Sequence, residues 1–350
     1  MSASKASSSR ALNAILPQVA TAPYEAHQKA RTFASRYVKS AQYDTAIDVL
    51  FQSARELLKA GQVGSGVDLA GFLLDVYEAK GEKVTEESRG RITQLIALTG
   101  SAGNWRKTLV GRAVSWSATH GDCPAGDPEL NRYIGELLFK DGIFTHAESY
   151  LLASGTRDSA RLLAEMFVQW SGPHNGSAGL FALRGTLPYL INGNVLAART
   201  FIRHFVSSHS ALNTATSKIP VNPSSTSVPD CSPFEVSITS DPTVNFCQMA
   251  VLTCQRANGD KSKTMREAWV RLCGTYQSKG GALAQPEVRK VLNEIATLYF
   301  AFPAPKSQAG NPFGDMLSSM LGGGGASGGS QPPKRVLAPP MPMLTGGGLD

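Results

Sequence analysis

The sequence predicts an all-α protein, a superhelical solenoid of antiparallel helix pairs of the tetratricopeptide-like kind. Three observations carry that expectation. Residues 24–77 read as three consecutive amphipathic helices with no strand pattern between them. Breaks at Ala41-Gln42 and then at the glycine cluster Gly61, Gly64 and Gly66 separate them by turns of only a few residues. Further along the chain, helical hairpins recur at spacings of roughly 35 to 45 residues without a strict consensus, the mark of stacked helix pairs that bury their faces against neighbours.

The middle helix shows the period most clearly. Tyr43, Ala46, Ile47, Leu50, Phe51, Ala54, Leu57 and Leu58 fall at steps of three and four and make one apolar stripe. Asp44 and Asp48 lie early and Arg55 and Lys59 late, which complements the helix dipole, and Gly61 is placed to stop the helix. On the first helix Ala26, Ala30, Phe33 and Tyr37 share an arc, opposite Gln28, Arg31, Ser35 and Lys39. On the third, Ala70, Leu73, Leu74 and Tyr77 take the inner side and leave Asp68, Phe72 and Asp75 in an outer row.

That row has two readings. As a general acid/base pair it is poor, since seven residues at about 1.5 Å each put the backbones roughly 10.5 Å apart, beyond the spacing of about 6.5 to 9.5 Å used by inverting glycosidases. As a docking edge it is better, with two carboxylates flanking an aromatic ring. A plain solvated helix face with one stray aromatic remains the alternative.

Later elements carry their own punctuation. Thr85 before Glu86 and Glu87 is an N-cap, with a helix running to Thr99 ahead of Gly100. A helix over 104–119 places Leu109, Ala113, Val114 and Trp116 inside. Asp127-Pro128-Glu129 is a cap followed by proline at the first helical position. Ile134, Leu137 and Leu138 then face inward until Gly142, and residues 142–150 open the second helix of a tetratricopeptide-like hairpin. Helices follow at 158–170, 177–191 and 193–208.

From Ser207 to Ser240 the composition turns to Ser, Thr, Pro and Asn. Within it, residues 234–239 alternate apolar and polar, which is strand-like; by composition alone the stretch reads as a disordered insertion. Asp241-Pro242 restarts helix, and helices at 262–278, with Trp269 and Leu272, and at 286–301, with Val291, Leu292, Ile295, Leu298 and Tyr299, complete the ordered part. The expected division is a disordered tail over 1–22, helical-repeat halves over 23–155 and 156–302 with an insertion at 210–240, and a flexible Gly/Pro-rich tail over 303–350. Inside that tail Phe313, Met316, Leu317, Met320 and Leu321 sit at helical spacing, a short sticky segment that needs a surface to order it.

Composition narrows function. The net charge of +7 is diluted over 350 residues with no compact Lys/Arg block, which argues against nucleic-acid binding. Five cysteines form no Cys-x-x-Cys pair, and six histidines show no metal-ligand spacing, so reduced thiols, no zinc site and no cofactor are expected. No window approaches 18 consecutive apolar residues; the most apolar, 178–191, carries Arg184 and Pro188, so no membrane span is expected. Gly61 and Gly66 match half a phosphate loop, but Val67-Asp68 stands where Lys and Ser/Thr are needed. No catalytic residue is assigned.

Several runs carry a family likeness. Tyr24-Glu25-Ala26-His27-Gln28, Arg31-Thr32, Arg36-Tyr37-Val38, Ala46-Ile47 and Ser65-Gly66 with Asp68-Leu69 are the densest. Asp127-Pro128 with Ile134-Gly135, Glu148 to Tyr150, Gly155-Thr156 with Asp158-Ser159, and Thr253-Cys254-Gln255 follow. Together they resemble the Golgi-to-ER-traffic protein four family, the cytosolic adaptors of the guided-entry pathway for tail-anchored membrane proteins, over roughly 24–320. The resemblance implies a non-catalytic cytosolic adaptor whose N-terminal half docks the pathway's targeting ATPase. Its C-terminal half would hold a ubiquitin-like partner and, through it, a tetratricopeptide co-chaperone. On that half the charged and polar residues of the first and third helices, His27, Arg31, Arg36, Lys39, Asp68 and Asp75, are the expected ATPase contacts. The resemblance also raises a small β-hairpin near 233–240 that clasps the ubiquitin-like partner through Phe234, Val236 and Ile238. A structural subunit of another helical-repeat assembly, such as a coat or a proteasome-lid-like complex, is the competing reading, and a carboxylate-based helical hydrolase using acids such as Asp68, Asp75 or Glu78 is a third.

Overall fold

The computed structural model describes residues 2–101, 103–172, 178–209, 212, 217–220 and 235–303. Among these, fourteen α-helices and one two-stranded antiparallel pair fall into two compact units that divide between Ser159 and Ala160.

The first unit opens with α1 (Ser2–Ile15), followed by α2 (Pro23–Lys39), α3 (Tyr43–Lys59), α4 (Val63–Lys80), α5 (Glu86–Leu98), α6 (Trp105–His120), α7 (Pro128–Lys140) and α8 (Phe144–Ser154). Tight turns reverse the chain between partners. Ala41 and Gly61 take left-handed conformations at φ 56° and 75°, and Gln42 and Gln62 donate back to Tyr37 and Leu57. α3 lies at the heart of this unit, with ten buried residues, and the apolar stripe read from its period is its buried face. α2 approaches through small side chains, Ala26, Ala30 and Ala34, all without exposed surface, with Phe33 and Tyr37 partly buried beside them. Gly66 lets α4 close on α3, since a Cβ there would occupy the space of the Leu58 side chain.

One expectation is corrected here. Residues 2–15 form α1 rather than a disordered tail. Their Ser/Ala composition hides a step of four from Ala11 to Ile15, both buried, continued by Val19. So short and weakly apolar a helix needs a surface, and α3 supplies it; Tyr37 also donates its hydroxyl to the Ser7 carbonyl at 3.2 Å.

The second unit contains α9 (Arg157–Ser171, which begins at the boundary), α10 (Ala178–Ile191), α11 (Val195–Ser208), β1 (Ser217–Pro220), β2 (Glu235–Ile238), α12 (Pro242–Gln255), α13 (Lys263–Gln277) and α14 (Pro286–Phe300). Its core is aromatic. Phe167 meets Phe181 and Phe201 edge-on at 5.2 and 5.9 Å, Phe201 stacks on Phe205 at 5.6 Å, and Trp269 stacks on Phe300 at 5.1 Å. Gly185 on α10 lies under the Phe201 ring, where any side chain would collide. On α14 the inward arc is carried by Val288, Leu292, Ile295 and Ala296, while Leu298 is 46% exposed. Pro188 lies within α10.

The β-hairpin expectation has a narrower counterpart. β1 and β2 pair antiparallel, Ser217 opposite Ile238 and Pro220 opposite Glu235. Phe234 and the segment 313–321 lie outside the described residues.

Candidate functional site

The acidic row on α4 lies on the outside of the first unit, as the period required, but neither carboxylate is bare. Asp68 Oδ2 meets His27 Nε2 at 2.7 Å and is also hydrogen-bonded by Arg31 Nη1, so two residues of α2 converge on one acid of α4. The Arg31 guanidinium lies over the Phe72 ring at 5.6 Å. Asp75, two turns further on, is paired with Arg112 of α6. The result is a ladder of charge and aromatic surface across α2, α4 and α6, with sequence separations of 37 to 41 residues between the partners.

Helix geometry explains the convergence. His27 and Arg31 are four residues apart and lie one above the other on α2, and Asp68, Phe72 and Asp75 do the same on α4. Burial alone would push the Asp68 carboxyl up, but the hydrogen bonds from His27 and Arg31 and their charge outweigh it and hold it below the usual carboxylate range. An acid kept ionised by two donors presents charge and shape, not a transferable proton. His27 is held firmly, its side chain only 12% exposed and its Nδ1 buried without a partner.

Arg36 and Lys39, at the C-terminal end of α2, are exposed, and their side chains enter no ion pair among the described residues. They lie where the helix dipole favours a cation and remain free for an acidic surface. Tyr24, at the opposite end of α2, is 70% exposed, and its ring lies 6.4 Å from that of His27. Arg112 is the member of the ladder that sequence reasoning missed. Nothing in its own periodicity marks it, because its role depends on α6 packing beside α4.

In the second unit Val236 is 8% exposed, turned into its own fold, and Ile238 is 38% exposed. β2 is stapled to α12 by two side-chain amides. Ser237 exchanges hydrogen bonds with Gln248 at 3.1 and 2.8 Å, and Thr239 does the same with Asn245 at 2.8 Å each way. These amides act as a surrogate strand on backbone groups that would otherwise be open to a partner's edge. Of the three residues expected to clasp a partner, Ile238 alone presents substantial surface among the described residues.

No group of three or more His, Cys, Asp or Glu is arranged to hold a metal among the described residues. No described helix is long and apolar enough to cross a membrane. The buried thiols of Cys247 and Cys254 and the half-buried thiol of Cys273 are pushed upward by desolvation, Cys273 to about 12, which keeps them protonated.

Antiparallel helix pairs with an open face of paired charges define a helical scaffold. The particular member of that class follows from comparison: the chain belongs to the Golgi to ER traffic protein 4 family, whose model matches residues 40–321. It is 34% identical to Golgi to ER traffic protein 4 of Aspergillus fumigatus over 320 residues, covering 85% of each chain. It is 28% identical to the Schizosaccharomyces pombe protein, covering 85% of this chain and 90% of that one. The human homologue is 24% identical over 302 residues, 85% of this chain and 82% of its own. Among solved structures, a crystal structure of Get4 from C. therm. superposes with a TM-score of 0.75 at 32% identity, covering 91% of this chain and 97% of that chain.

Proposed function

We propose that the chain is a non-catalytic cytosolic adaptor for post-translational targeting of tail-anchored membrane proteins to the endoplasmic reticulum. In this reading residues 23–155 dock the targeting ATPase. Residues 156–302 hold a ubiquitin-like partner through which a tetratricopeptide co-chaperone is recruited. The observation that carries the proposal is the α2–α4–α6 ladder. His27 and Arg31 are fixed on Asp68, Asp75 is fixed by Arg112, and Arg36 and Lys39 are left unpaired beside them. A face pre-organised in this way loses little side-chain freedom on docking, and its mixed charge gives orientation and salt sensitivity more than raw affinity. Preference for one nucleotide state of the ATPase would then follow from unequal affinity for its conformations.

The experiment is binding of the purified chain to the ATPase, with and without ATP and at two salt concentrations. Saturable binding that weakens with salt is expected. The double variant Arg36→Glu/Lys39→Glu should weaken it by about tenfold or more, roughly 1.4 kcal/mol, with an unchanged melting temperature, because neither side chain holds the fold. Asp68→Lys should weaken it too, by freeing His27 and Arg31 as well as reversing a charge. Wild-type affinity for both variants at low salt would remove this face from the interface.

A further inference from the structure

A second feature of the first unit has no part in that reading. Between α6, α7 and α8 lies a cavity of about 220 Å³. Val110, Ile134, Leu137, Leu138 and Tyr150 make it largely apolar. Ile143, 38% exposed, stands at its rim in the turn between α7 and α8.

The remaining walls are polar, Ser101 and Asn104 among them, and their charged side chains are mostly positive. Arg106 lines the cavity although it is only 8% exposed. One of its terminal nitrogens is paired with Asp141, while its Nε–H is buried with no acceptor. Lys107, exposed and in no ion pair among the described residues, and His146 complete the set. A buried guanidinium donor without a partner is costly, and a carboxylate is the group that satisfies it best. Asp141 neutralises one cation and leaves the site with an excess of positive charge.

We propose that this cavity is a docking slot for a linear peptide segment of a partner protein that presents a large apolar side chain next to a carboxylate. The apolar side chain fills the space between α6 and α7, and the carboxylate meets Arg106 and Lys107. The slot shares no residue with the α2–α4 face, so the chain would hold such a partner independently of the ATPase.

The test uses the full chain and a fluorescein-labelled ten-residue peptide alternating Leu or Phe with Asp. Two control peptides replace every Asp by Lys or every Leu and Phe by Ser. Saturable anisotropy is expected for the first peptide, at least fivefold tighter than for either control. Lys107→Glu and Ile143→Ser, both at exposed positions, should each weaken it at least threefold with unchanged melting, whereas Asp68→Lys should leave it unchanged. No saturation below about 1 mM, equal affinity for the Lys peptide, or equal affinity in both cavity variants would overturn the proposal. None of those results bears on ATPase binding, which is read in a separate assay.

Discussion

At the residue scale, His209 makes the stability of the second unit depend on pH. Its Nε2 lies 3.2 Å from the Ser171 hydroxyl oxygen, and that hydroxyl donates to the Val168 carbonyl at 3.1 Å. The hydroxyl proton is therefore spoken for, and Nε2 carries the proton that joins the two. Nδ1 is buried with no partner, and the ring packs beside Phe205 at 5.4 Å. Protonation would put a second N–H where no acceptor waits. Burial accordingly pushes the pKa below the ordinary value, against the smaller opposing pulls of the residue's own backbone and of Asp241. From the unfolded value of about 6.5 down to the lowered folded value, the unfolded chain binds a proton that the folded chain refuses. Stability is thus complete above that window and falls as pH drops through it. The urea midpoint of the wild type should fall more between pH 8 and pH 5.5 than that of His209→Gln, whose amide can still donate to Ser171. Parallel pH dependences in the two proteins would contradict this. Such pairings are hardly legible in sequence. Position on a face could be read for Arg31, Asp68 and Asp75 because it follows from a period of 3.6. Who pairs with whom across 37 to 41 residues could not, and Arg112 went unseen for that reason.

At the scale of elements, Asp241 joins two helix starts. Its Oδ1 caps α12 by accepting from Thr243 and Val244 at 2.8 and 3.3 Å, and its Oδ2 accepts from the Gly179 N–H in the first turn of α10 at 2.9 Å. Gly179 is what allows the approach, since a Cβ there would run into the carboxylate and into Thr243. Asp127, by contrast, caps α7 alone through Leu130 at 2.8 Å, with Arg89 at 3.4 Å. An ordinary cap is worth about 1 kcal/mol. Asp241→Ala should therefore cost about 2 kcal/mol in urea unfolding, and Asp127→Ala nearer the single-cap value. Equal costs would mean that water replaces the bond to Gly179 without loss. The sequence announces Asp241-Pro242 as one helix start and gives no sign of the second, because Gly179 is 62 residues away. Where the signal was local it served well, as in the box at Thr85, which exchanges hydrogen bonds with Ser88, and the stop at Gly142. It failed for α1, whose stability comes from the surface of α3 rather than from its own composition.

At the scale of the molecule, an adaptor differs from a mere binder in that its two contacts are made at once by one chain. From α2 onward the helical scaffold was legible from punctuation and period. The partners were not, since they entered through resemblance and belong to surfaces that no periodicity describes. Bridging is the property that tests them. Immobilised ATPase should retain the ubiquitin-like partner only when the full chain is present. Arg36→Glu/Lys39→Glu should abolish that retention while leaving the partner bound to the variant in solution, because both side chains lie on α2, in the first unit. Truncation of 210–240 should do the reverse, keeping ATPase binding and losing the partner. If the partner still copurifies in full with the truncated chain, the clasp assigned to Val236 and Ile238 is wrong. The amide staples from Gln248 and Asn245 would then have only a structural purpose, closing the edge of β2. If the charge variant loses both contacts together, the two surfaces are one, and the chain is a subunit of a single assembly rather than a bridge.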